Sequence, residues 1–181
     1  MLDFSANHFE LFGLPTAFSL DLERLSERYR SLQRTLHPDR FAAAGERERR
    51  LSLQASSRVN EAYRVLRDPV ARARYLLSLY TGEAGAESET TRDMAFLMEQ
   101  MQLRESLAGA TAEEDPYRLV AEVMARLDAL SGQLEGELSG RLDTPTEDGL
   151  QQARELVRKL QFVSKCRREA ERIEAELDES L

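Results

Sequence analysis

The chain has 181 residues, enough for one or two small domains with a modest core each. It is 41% hydrophobic and 32% charged and has no tryptophan; one cysteine (Cys166) excludes an internal disulfide framework and, with two histidines, a cysteine-rich zinc site. A net charge of −8 argues against nucleic acid as the main ligand.

Helix punctuation divides the chain in order. NHFELFGLP reads as a short helix closed by Gly13 and Pro15. Asp21 is the expected N-cap of the next, with Leu20 able to staple onto Leu25. That helix carries Leu22, Leu25, Tyr29, Leu32 and Leu36 at helical spacing and stops at Pro38, which lacks an N–H and restricts its predecessor. A third helix is predicted from about Glu46 to Leu66, with Val59, Ala62, Tyr63 and Leu66 as its apolar stripe. Asp68-Pro69 should cap a fourth, PVARARYLLSLY, because proline is favoured at the first helical position. TGEAGAESE, residues 81–89, is the predicted linker.

Three longer helices are predicted beyond it. The first spans roughly 91–108. The second starts at Asp115-Pro116 and turns Val120, Val123, Leu127, Leu130, Leu134 and Leu138 inward. The third opens on a capping box, Thr144-Pro145-x-Glu147, and runs toward Glu179. No strand pattern competes. The predicted fold class is all-α, with a four-helix unit over 1–80 and a three-helix bundle over 90–181. Charge divides at the same place: residues 1–80 hold 13 basic against 10 acidic side chains, and residues 81–181 hold 12 against 23. Two surfaces with different partners are expected.

No apolar run reaches the ~20 residues of a membrane-spanning helix, and MLDFSANHF lacks a charged-then-apolar signal. A cytoplasmic protein is expected, with no membrane partner and with Cys166 as a small apolar residue in a reducing compartment.

In an ideal helix drawn from Met94, Phe96, Leu103 and Leu107 fall near one direction, while Leu97, Met98, Met101 and Glu105 fall on a roughly opposite face. A helix in a three-helix bundle needs one buried stripe, so the second must be covered, either by a neighbouring helix or by a partner. Methionine suits adaptable binding surfaces because its side chain repacks readily. In the last helix Ala153, Leu156, Leu160 and Val163 share a face, and Phe162 stands about 100° from Val163. It is either a core-edge residue or an exposed anchor.

The tripeptide His37-Pro38-Asp39 asks for more than a turn, which needs only the proline. His37 and Asp39 could serve as a general base and its orienter, but no nucleophile motif or glycine-rich phosphate loop accompanies them. FELFGLP precedes the tripeptide, and VNEAYRVLRDPVARARYL comes after it. This order resembles the J-domain of DnaJ-type co-chaperones over residues 7–80: His37-Pro38-Asp39, then Asn60-Glu61-Ala62-Tyr63 with Leu66, then Asp68-Pro69 with Arg72 and Tyr75. The resemblance implies a helical hairpin flanked by two short helices, and an HPD turn that stimulates ATP hydrolysis by a DnaK-type chaperone. Arg28, Arg34 and Arg40 would be the cations that meet an acidic chaperone surface.

The segments beyond Tyr75 narrow the resemblance. The Gly/Phe-rich and cysteine-rich segments of general J-proteins are missing, and YLLSLYTG, TTRDMAFLMEQMQLRESL and RKLQFVSK are similar to the HscB family of iron–sulfur co-chaperones. That likeness implies a non-enzymatic adaptor without cofactor or metal of its own. It would hold an IscU-like scaffold through Leu97, Met98, Met101, Glu105 and Phe162 and deliver it to an HscA-like ATPase. Gln102 and Gly109 depart from usually acidic positions and keep open a J-protein serving another client. An all-α enzyme or metal protein is the alternative from another class.

Overall fold

Asn7 starts the first helix, α1 (His8–Leu11), through a reciprocal cap: its side-chain oxygen accepts from the Phe9 and Glu10 N–H groups while its own N–H donates to Glu10 at 2.7 Å. The structure is a computed structural model that describes residues 3–36, 45–82, 91, 93–110 and 114–179. Gly13, at φ +62°, supplies the left-handed residue that turns the chain back, and Phe9, Phe12 and Leu14 are buried beside it.

α2 (Leu22–Leu36) and α3 (Glu46–Arg67) form an antiparallel hairpin. Asp21 caps α2 as expected, accepting from the Arg24 N–H at 2.9 Å. Three contacts set the register. Ser26 meets the Tyr63 hydroxyl, the Tyr29 and Tyr63 rings stack at 4.0 Å, and the Ser52 hydroxyl donates to the Leu36 carbonyl at 2.8 Å. Leu25, Val59, Ala62 and Leu66 are fully buried between the helices and their neighbours. Leu22 departs from the expected stripe and is 45% exposed, because it precedes the turn where α2 first meets Tyr63.

α4 (Pro69–Thr81) begins as predicted, with Asp68 accepting from the Ala71 N–H at 2.7 Å, and ends on Gly82 at φ +70°. The predicted linker falls mostly on residues 83–89, outside those described. α5 (Met94–Gly109) and α6 (Pro116–Leu142) are capped by Asp93 and Asp115, which accept from the Phe96 and Arg118 N–H groups. α7 (Glu147–Glu179) starts on a different cap from the one expected. The Thr146 hydroxyl, not that of Thr144, accepts from the N–H three residues on, at Gly149. A Cβ at Gly149 would stand 2.9 Å from that hydroxyl, so glycine leaves room for the cap. Thr144 instead donates back to the Gly140 carbonyl at the end of α6.

The described residues thus form seven helices and no strand, four before residue 83 and three after residue 92. α6 and α7 run antiparallel, with Arg141 on Gln152 at one end and Tyr117 on Asp178 at the other, and α5 packs against both. Val120, Val123, Leu127, Leu134 and Leu138 are buried and Leu130 is half-buried, as the periodicity predicts; Ala153, Leu156, Leu160, Val163 and Cys166 are buried opposite them. No described helix is long and apolar enough to cross a membrane.

The two groups of helices meet along α4, which packs on α3 from one side and on α6 and α7 from the other. Asp143, just past α6, accepts from the Phe18 N–H at 2.5 Å and from Ser139 at 2.8 Å; Tyr80 donates to the Leu142 carbonyl at 3.1 Å. Arg72 is buried with its guanidinium 4.8 Å from the Phe18 ring centre and donating to the Leu66 carbonyl. Burial pushes the Asp143 carboxyl up, but hydrogen bonds from Ser139, Ser19 and the Phe18 and Ser19 N–H groups outweigh it and hold the acid below the usual carboxylate range. Its contribution to stability is therefore present above the unfolded pKa and lost as pH falls through the folded one. Asp143→Ala is expected to destabilise the chain by about 1–3 kcal/mol near neutrality, because the Phe18 N–H loses its acceptor. The gap from wild type in urea unfolding should shrink below about pH 4. A gap that does not change with pH would mean the carboxylate charge plays no part at this junction.

Candidate functional site

Of the first group of predicted residues, Arg28 and Arg34 lie on α2 of the α2–α3 hairpin. α2 ends at Leu36 and the N-cap of α3 is Gly45, so the described residues flanking 37–44 stand at the same end of the pair. His37, Pro38, Asp39 and Arg40 lie outside the described residues. Arg28 and Arg34 are both exposed on α2. Helical spacing sets them about 120° apart, so they front two stripes and not one. Arg34 shares a shallow groove with Tyr29, Arg30 and Gln33. Arg30, omitted from the sequence-based set, is exposed one turn before Arg34; the i, i+4 spacing of two arginines was the available signal.

The hairpin is stiffened directly beneath these cations. The Tyr29 hydroxyl donates to Asn60 Oδ1 at 2.9 Å, Gln33 also reaches Asn60, and Tyr29 stacks on Tyr63. Asn60 and Tyr63, singled out in the sequence as part of a motif, therefore brace the stretch of α2 that carries Arg30 and Arg34.

The second group lies on α5, where one helix carries two unlike faces. Phe96, Leu103 and Leu107 are buried, as the helical spacing predicts. On the other side Met98 is 62% and Met101 71% exposed, Glu105 is exposed and Leu97 is half-buried. Among the described residues no neighbouring helix covers this second face. Exposed methionines at successive turns make a flexible apolar surface rimmed by an acid. Gln102 and Gly109 are also exposed.

Phe162 behaves differently from the rest of its predicted group. It is only 7% exposed, set edge-on to Phe96 with ring centres 5.7 Å apart, and the Arg104 guanidinium lies 5.3 Å from its ring centre. The shoulder position is thus a core edge and not an exposed anchor, because α5 closes over it. The ring holds α5 from behind. Lys159 does the same at the start of the helix, pairing with Asp93 at 2.6 Å and standing 5.3 Å from the Phe96 ring centre. The hydrogen bond from Lys159, then that from the Phe96 N–H, holds the Asp93 carboxyl below its ordinary range. Met94 is the residue that sequence reasoning missed: at 69% exposure, one turn before Met98, it extends the outward face toward the start of α5. Its signal was the same spacing that picked out Met98 and Met101.

Among the described residues no cluster of three His, Cys, Asp or Glu side chains could hold a metal ion. Cys166 is buried, and burial raises its thiol further above neutrality.

Comparison with known proteins divides the chain as the helices do. Residues 7–75 match the DnaJ domain model, and residues 92–171 match that of the HSCB C-terminal oligomerisation domain. The co-chaperone protein HscB homolog of Shewanella amazonensis is 41% identical over 168 residues, covering 93% of this chain and 97% of that protein. That of Vibrio cholerae is 43% identical over 171 residues, covering 94% and 98%. Among solved structures, the chaperone HscB from Vibrio cholerae superposes with a TM-score of 0.82 at 41% identity, covering 95% of this chain and 99% of that one. The human co-chaperone protein HscB gives 0.83 at 27% identity, covering 95% and 84%.

Proposed function

The chain belongs to the HscB family of J-domain co-chaperones, and from that premise we propose that it binds an IscU-like iron–sulfur scaffold and delivers it to an HscA-like ATPase chaperone in the cytoplasm. The observation that carries the reading is the outward face of α5. Leu97, Met98, Met101 and Glu105 offer a client an apolar centre with an acidic edge, with Phe162 as its support from below. ATP and any iron–sulfur cluster belong to the partners in this reading, and the chain itself does no chemistry.

The chaperone end of the proposal rests on His37, Pro38 and Asp39. A proline between them would restrict the backbone, so that the imidazole and the carboxylate would have little entropy left to lose on binding. Arg28, Arg34 and Arg40 would steer the encounter with an acidic chaperone surface, acting on the association rate more than on affinity. Arg28→Glu together with Arg34→Glu is accordingly expected to weaken chaperone stimulation most at low salt. The deficit should narrow near 0.1–0.15 M, where the Debye length is only about 8–10 Å. A loss that is the same at every ionic strength would assign these side chains to folding or short-range contact.

The deciding experiment is the steady-state ATPase rate of the HscA-like chaperone with the full chain added, alone and together with the IscU-like scaffold. Stimulation by the chain, raised further by the scaffold, is expected. Stimulation without any added effect of the scaffold would point to a J-protein with another client, and no stimulation at all would remove the chaperone role.

A further inference from the structure

Oxidation chemistry is distributed unevenly over this molecule. Of its five methionines, Met94, Met98 and Met101 stand on one face of α5 at 69%, 62% and 71% exposure, whereas Met124 on α6 is half-buried against the core. Cys166 is buried, and the same burial favours its unreactive thiol over the thiolate. Among the described residues, a polar oxidant in solvent therefore meets thioethers on a single surface, which is the surface assigned above to the scaffold.

We infer that Met94, Met98 and Met101 form an oxidant-responsive modification site, at which conversion to methionine sulfoxide by hydrogen peroxide releases the client. This rests on the client-binding reading of the α5 face. In each step a sulfur lone pair attacks one peroxide oxygen as the O–O bond breaks. The S–O bond forms and one molecule of water leaves. The thioether is oxidised by two electrons, which reduce the peroxide. The product is a polar, strongly hydrogen-bonding group where an apolar, pliable one had been. An interface that packed the thioether must then either desolvate the new oxygen or stay open. The fold does not feel the change, because the three side chains already face water in the free protein. Reduction of the sulfoxides by methionine sulfoxide reductases restores the surface, so the modification is reversible.

The test treats the full chain with dilute hydrogen peroxide and follows three readouts: peptide mass spectrometry, thermal unfolding, and calorimetric binding to the IscU-like scaffold. The Met94, Met98 and Met101 peptides are expected to gain oxygen several-fold faster than that of Met124, with the melting temperature unchanged. Scaffold affinity should fall about tenfold or more, the cost of one poorly paired polar group in an interface, and recover after reductase treatment. A Met94→Leu/Met98→Leu/Met101→Leu variant has no oxidisable sulfur on this face, so whatever scaffold affinity it shows untreated should be the same after peroxide. Equal oxidation of Met124, undiminished binding by the oxidised chain, or peroxide sensitivity that persists in the leucine variant would each overturn the inference. Failure of the untreated protein to bind the scaffold would overturn the client reading, and this proposal with it; that result is seen before any peroxide is added.

Discussion

His37→Gln is expected to abolish stimulation of the HscA-like ATPase while leaving scaffold binding and thermal stability close to wild type. The contacts that close the α2–α3 hairpin are made by described residues on either side of the substitution. Ser52 donates to the Leu36 carbonyl, Tyr29 stacks on Tyr63, and Leu25 packs with Val59, Ala62 and Leu66. None of these needs the imidazole. Glutamine keeps hydrogen-bonding capacity but not the imidazole ring, so the group proposed to recognise the chaperone is removed while those contacts stay in place. The proposed scaffold face on α5 belongs to the other group of helices, which supplies the control: calorimetric binding to the IscU-like scaffold should not change. A variant that stimulates ATP hydrolysis at the wild-type level would sink the role assigned to residues 37–39.

How much of this was legible in the sequence depends on how local the cause was. Asp21 and Asp68 could be read as caps because a cap is decided by a carboxylate and the three residues after it, and each accepts the expected N–H. The start of α7 was misplaced by two residues. Thr144 with Glu147 matches a capping box, but Thr146 with Gly149 satisfies the backbone, and the missing Cβ at Gly149 was the overlooked sign. The two faces of α5 followed from helical spacing, which tells buried from exposed whenever a helix packs on one side only. Phe162 could not be decided that way. At a helix shoulder, exposure is set by what the neighbouring helix does, and here Phe96 and Arg104 close over the ring. The junction between the two groups of helices was not legible at all: Asp143 serves backbone groups at Phe18 and Ser19, more than 120 residues away, and no local pattern announces such a partner.

The other large effect expected is a clean separation of binding from stability across the single helix α5. Met98 and Met101 are exposed and Leu97 is half-buried, so the Leu97→Ala/Met98→Ala/Met101→Ala triple variant removes little that the folded chain has packed. It should unfold near the wild-type temperature, within the ~0.5 kcal/mol usual for a surface substitution, plus a modest share from Leu97. If these side chains are the centre of the client interface, truncating them should weaken scaffold binding at least roughly a hundredfold, since interface anchors commonly contribute about 2 kcal/mol or more each. Phe96, Leu103 and Phe162 should behave in the opposite way. All three are buried, and Phe96 and Phe162 pack edge to face. Leu103→Ala is expected to cost about 2–5 kcal/mol of folding stability and either phenylalanine about 3–5 kcal/mol, a large share of the total for a small domain. Phe162→Ala is the most informative single change, because its residue was expected on the proposed client face and is buried against Phe96. Measured well below its lowered melting temperature, it should retain more scaffold affinity than the triple variant. Urea unfolding of both sets, beside calorimetric titration with IscU, separates the outcomes. A triple variant that melts early would mean the methionine face is packed, and wild-type affinity in that variant would move the client surface off α5 altogether.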